Sequence, residues 1–327
     1  MRWRQPGRKG LKQLLAAHWL LWLCLGLAGP GYAQRRQAAK PASVSRQPVP
    51  ANVAPPDPPA VRTKLFQAAA LANGFKDSEA LAVYQEVLKI NPNHYLALWQ
   101  AAVLSVKIGG RYSDETRKSA YFDAARQYAD RALLLRPEGG ESNYAEALAL
   151  FNQATLYRAP ARLKAFRDLR SHVYLATERR PDLAEAWHLR GRWQYRVAHF
   201  SLLERLYSKV VLGGVPAGGD SREAMADLEK ARALAPQNIQ IGYDLARMYS
   251  YQGRRQRAIA LLRELEKTSP ITSEDLVLNR LSRKLLPPLL RADARRQKRR
   301  ARQNPAPPLA APPANAPTSA DTLRRNP

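Results

Sequence analysis

The stretch "QNIQIGYDLARMYSYQGRRQRAIALLRELEKTSP", Gln237 to Pro270, decides the fold. It is thirty-four residues long and closes on a proline thirty-four after Pro236. Small residues fall where two helices must touch, Ala246 on the first and Ala258 on the second. Gly253 makes the turn between them, and Tyr249 packs in the crevice. A unit of this length with these features is one helix–turn–helix repeat.

Stepping back from each proline finds the others. Ala224 and Ala231 precede Pro236, Ala176 precedes Pro181, Ala125 and Ala132 precede Pro137, and Ala80 precedes Pro92. First helices follow the prolines, with Ala102, Ala147 and Gly191 at their small positions. The spacings between successive prolines are 45, 44, 55 and 34, so three repeats carry insertions. Small, aromatic, Gly, small and Pro in phase resemble the tetratricopeptide repeat. The fold class is therefore all-α, a tetratricopeptide-like α-solenoid of about five helix pairs. No alternating apolar and polar runs compete for a sheet. The segment "TSEDLVLNRLSRKLLPPLL" is expected to cap the array, starting near Ser273 and Asp275 and stopping at Pro287–Pro288.

The longest repeat, Asp182 to Pro236, contains "HFSLLERLYSKVVLGGVPAGGD". Leu202, Leu203, Leu206 and Val210 continue at helical spacing to Gly213–Gly214. The reading is an inserted helix that packs across the repeat and lengthens the hairpin. Trp187, "GRWQYRVAHFSLLER" (191–205), "GGVP" (213–216), "EAMADLEKA" (223–231) and Pro236 resemble the regulator of microtubule dynamics family. The resemblance covers about 60–285. It implies a helical repeat protein that acts by binding, associated in animals with microtubules or mitochondrial membranes.

The flanks read differently. Residues 1–33 carry five basic groups, no acid, and an apolar run ending in Gly31 and Ala33. This is the pattern of a secretory signal cleaved before Gln34, so periplasm or cell envelope is the expected location of an exported bacterial relative. The alternative is a membrane anchor formed by residues 14–28. Cys24 is the only cysteine, so a cleaved chain has no thiol chemistry and no disulfide. Residues 34–60 read as a disordered Pro/Ala-rich linker, 61–290 as the repeat domain, and 291–327 as a basic, Pro/Ala-rich disordered tail. The net charge is +26, but 61–290 holds 35 basic and 24 acidic groups, so much of the excess lies in the flanks.

No catalytic constellation stands out, no cofactor is expected, and His94, His172, His188 and His199 show no metal spacing. Glu185 lies one turn before His188, a pair read as a solvated helix face. Trp187 and Trp193 are read as core. Binding is the better reading. Counting from the small positions turns His188, Arg192, Tyr195 and Arg196 of one first helix toward the groove. Gln240, Tyr243, Arg247 and Tyr251 follow from the next, and Trp99 and Lys107 from an earlier one. Arginine forks and rigid tyrosines suit an acidic protein or peptide segment; the alternative is ordinary solvated charge. No small-molecule substrate is expected. Arg295, Arg296, Lys298, Arg299 and Arg300 form a basic block. That block is either a solubilising tail or a contact for an anionic membrane or polysaccharide surface. Nucleic acid is a weaker reading, because no aromatics interleave with the basic residues.

Overall fold

A computed structural model describes residues 56–303, and the expectations for the signal, most of the linker and the end of the tail lie outside them. Among the described residues there are thirteen helices and no strand. Five antiparallel pairs account for most of them. α1 (Pro59–Asn73) packs on α2 (Asp77–Ile90), and α3 (Tyr95–Arg111) on α4 (Glu115–Leu135). α5 (Gly140–Leu156) packs on α6 (Ala159–Asp168) and α7 (Arg170–Arg179). α8 (Ala184–Ala198) pairs with α10 (Ser221–Leu234), with α9 (Leu202–Val211) inserted between them in sequence. α11 (Ile239–Tyr251) pairs with α12 (Arg255–Lys267), and α13 (Ser273–Gln303) packs on both.

The small positions are where the helices meet. Ala80, Ala102, Ala125, Ala132, Ala147, Ala224, Ala231, Ala246 and Ala258 are all fully buried. Each permits a close backbone approach that a larger side chain would prevent. At Gly191 an added Cβ would lie 2.8 Å from the Ala224 carbonyl oxygen. Gly253 turns α11 into α12 at φ +73°, a left-handed conformation that favours glycine. Each repeat-closing proline stands two positions after the end of a second helix, or three in the case of Pro270. Proline supplies no amide to continue a helix, so it stands where one has already ended.

Two expectations need correction. α13 does not stop at Pro287–Pro288 but runs through them to Gln303, so residues 291–303 are helical rather than disordered. Both prolines face solvent, while Leu286 and Leu289 beside them are buried against α11 and α12. Packing of that leucine face outweighs the lost backbone hydrogen bonds. α9 forms where expected, but its apolar side chains do not pack across the repeat. Leu202, Leu203, Leu206 and Val210 are 84%, 79%, 59% and 74% exposed. α9 is instead held through Glu204 and Tyr207 on its opposite side.

Candidate functional site

The first helices α3, α5, α8 and α11 form one row. Near its C-terminal end, α8 and α11 bring most of the expected groove residues together. Tyr195 and Tyr251 stack at 6.4 Å, and Tyr195 also lies 4.0 Å from the His199 ring. Arg247 donates to the Tyr251 hydroxyl at 3.2 Å and lies 5.7 Å from the rings of both Tyr243 and Tyr251. Tyr243, Arg247, Ser250 and Tyr251 line a cavity of about 350 Å³ closed on one side by Leu285 of α13. Ser250 and Leu285 escaped sequence reading: Leu285 reaches the site from another helix, and a serine in a repeat has no distinguishing spacing.

The arginines divide. Arg192 lies 3.8 Å from Asp244 and over the Phe151 ring at 4.7 Å. Arg196 binds Glu204 at 2.6 Å and covers Phe166 and Phe200. Arg247 forms no ion pair among the described residues, although its hydrogen bond to Tyr251 favours the charged form. It is the arginine of the three whose charge remains available to a ligand. His188 is buried and bonds Asp244 of α11 at 2.9 Å, so its partner is not the neighbouring Glu185. Burial lowers the imidazole pKa despite Asp244. Burial would raise that of Asp244, but the His188 hydrogen bond and the Arg192 charge hold it below the usual range. His188 and Asp244 thus lock α8 to α11 and fix the floor beneath the tyrosines.

The remaining candidates lie apart. Gln240 is exposed at the start of α11. Lys107 is exposed on α3, and Trp99 of the same helix packs between two core clusters. Trp193 is fully buried and donates to the Phe166 carbonyl at 2.8 Å. Trp187 is only half-buried, between Arg190 and Lys230. In the basic block, Arg295, Arg296, Lys298, Arg299 and Arg300 are exposed on the last turns of α13. Arg296 and Arg300 join Arg254, Arg255, Arg257 and Asp293 around a second cavity of about 320 Å³. No helix among the described residues is long and apolar enough to cross a membrane.

These features define a tetratricopeptide-like helical repeat protein, a class that typically binds other proteins and is typically non-catalytic. Residues 65–289 match the family model of regulator of microtubule dynamics protein 1-3, and the chain belongs to that family. It is 25% identical over 179 residues to regulator of microtubule dynamics protein 3 of Rattus norvegicus. That match takes in 54% of this chain but only 38% of the rat protein. Among solved structures it is similar to a thermophilic TPR protein of Thermus thermophilus, with TM-score 0.50 and 18% identity over 69% of this chain and 100% of that one. MamA from Desulfovibrio magneticus is similar at TM-score 0.37 and 14% identity, over 63% and 93% of the two chains.

Proposed function

We propose that the protein is a non-catalytic scaffold that captures an acidic partner segment at the α8–α11 end of its helical row. The observation that carries this reading is Arg247, a guanidinium with no carboxylate partner among the described residues, set among Tyr195, Tyr243 and Tyr251 beside a cavity. A planar fork beside rigid rings binds a carboxylate in two hydrogen bonds while the rings cover the adjoining backbone. Arg192 and His188 contribute by anchoring Asp244, and Arg196 by holding Glu204. The sequence of residues 1–33 supports export to the cell envelope as the setting of this capture.

The experiment is an array of acidic peptides with free and amidated C-termini, probed with the protein and with Arg247→Ala and Tyr251→Ala variants. The reading requires acidic peptides to bind and both variants to lose about tenfold or more in affinity, with the helical circular-dichroism spectrum unchanged. Equal binding by the Arg247→Ala variant overturns it.

Family membership favours a second reading, an intracellular protein anchored through residues 14–28 that engages microtubules. N-terminal sequencing of protein from fractionated cells separates the two. A start at Gln34 supports export, and a start at Met1 in membranes, with co-sedimentation on tubulin polymer, supports the second.

A further inference from the structure

α9 is built in reverse of a soluble surface helix. A helix on a globular protein turns its apolar stripe inward and its charges outward. Here the acid faces in with Tyr207, and the aliphatic residues face out. Glu204 caps the helix by accepting from the Ser201 amide at 2.8 Å, and binds Arg196 at 2.6 Å and Arg162 at 3.2 Å. Ser208 is fully buried, and Tyr207 and Leu212 pack on the central core. The helix is therefore fixed to α6 and α8 by the Glu204 ion pairs and by the inward packing of Tyr207. Leu202, Leu203, Leu206 and Val210, spaced to share one face, stand in solvent, with Val211 57% exposed at the end.

Cations border that face. Arg205 and Lys209 lie three and seven positions after Leu202, beside the leucines on the helix surface. Arg205 donates to the carbonyls of Phe200 and Ala198, which leaves its charge uncompensated. Arg167 binds the Leu212 carbonyl at the far end of the helix, and Arg170 that of Ala217 in the following loop. None of these four cations pairs with a carboxylate among the described residues.

We propose that α9 docks the protein on an anionic lipid surface, sinking its leucine face into the acyl boundary while Arg205, Lys209 and Arg167 meet the headgroups. An amphipathic helix with basic residues at the border of its apolar face lies in the plane of a membrane in this way. Two features of α9 select this occupant. A side chain as exposed as Leu202 is a ridge, which fluid acyl chains envelop without a preformed groove. Pairing with a second copy would bring Arg205 and Lys209 of both chains to one interface with no outward acid from α9 to meet them, because Glu204 is turned inward. The surface is separate from the Arg247 site, so the inference stands or falls independently of peptide capture.

The test places a polarity-sensitive nitrobenzoxadiazole dye on α9 of the full chain, in a Cys24→Ser background carrying Leu206→Cys. A control carries the dye at Gln256→Cys on α12. Vesicles of phosphatidylcholine alone are compared with vesicles containing about one-third phosphatidylglycerol. The expected result is a blue shift and quenching by shallow spin-labelled lipid at position 206, with anionic vesicles only, and none at 256. Leu203→Glu with Val210→Glu should lower vesicle affinity about tenfold or more, and raised salt should lower it as well. Bound protein with an unshifted dye at position 206 overturns the proposal. A dye already blue-shifted without vesicles also overturns it, and shows that another segment or a second copy covers α9. Sedimentation velocity then tells those two apart. Equal insertion into neutral vesicles removes the charge argument and with it the proposed anionic surface.

Discussion

Arg190 of α8 grips Asp227 of α10 with two hydrogen bonds, Nε to Oδ2 at 2.6 Å and Nη2 to Oδ1 at 2.5 Å. Its Nη1 donates to Thr177 of the preceding repeat at 2.8 Å, and its plane lies 4.2 Å from the Trp187 ring. One guanidinium thus joins two repeats. Burial raises the Asp227 pKa in spite of the pairing, so the pair does not fully recover the hydration that it gives up.

Removing one partner should therefore hurt more than removing both. Asp227→Leu alone is expected to cost about 3–5 kcal/mol, because it strands a largely buried cation. Arg190→Met combined with Asp227→Leu should cost much less than the sum of the single changes. Urea denaturation of the four-member cycle checks this, and additive costs would contradict it.

Glu204 sets an acid limit on the stability of the inserted helix. Burial would raise its pKa, but hydrogen bonds from Arg196 and the Ser201 amide win, holding it at about 2. The folded value lies below the ordinary 4.5, so its contribution is complete above 4.5 and is lost as pH falls toward 2. Glu204→Gln should lower the melting temperature at neutral pH, with the difference from the parent shrinking through that window. A difference that persists at pH 2 would show that the charge is not the cause.

Glu146 of α5 gives the opposite dependence. Burial pushes its pKa up to about 8, with Arg126 at 2.6 Å only partly offsetting it and Asp130 adding to the rise. The folded chain then keeps a proton that the unfolded chain loses above 4.5, so stability falls as pH rises from 4.5 toward 8. Glu146→Gln should flatten that decline. Urea midpoints across the range, for parent and variant, decide it.

Gly191 marks a close approach of α8 to α10 in the repeat that carries α9. A side chain there meets the Ala224 carbonyl and the Leu228 side chain. Gly191→Val should destabilise by about 1–3 kcal/mol from overpacking, and it gains little in helix propensity to offset this. Thermal unfolding measures it; a neutral result would mean that α8 and α10 can separate without cost.

Much of the architecture was legible because the repeat is a local code. A small residue is required wherever two helices cross closely, and a proline is tolerated only past a helix end, so Ala246, Gly253, Ala258 and Pro270 mark a hairpin without knowledge of the rest of the chain. The same logic placed α9, since Leu202, Leu206 and Val210 recur at helical spacing. It also placed Tyr195, Tyr243, Arg247 and Tyr251 on one row, because turn counting from a small position fixes the direction of a side chain.

Periodicity cannot say what an apolar stripe faces. That depends on which neighbours remain uncommitted, and the inward hydrogen bonds of Glu204 turn the leucines of α9 to solvent. Nor does it separate a free arginine from a paired one. Arg192 and Arg196 meet Asp244 and Glu204 only through contacts between helices, while Arg247 meets no carboxylate among the described residues. The two prolines of α13 make the same point from the other side: their local signal is to stop, and the leucines packed on α11 and α12 carry the helix past them. Sequence alone determined the repeat, its phase and the helix pairs that it marks. The tertiary structure decided which faces and charges are left over for a partner, because burial and pairing are set between elements that are distant in the chain.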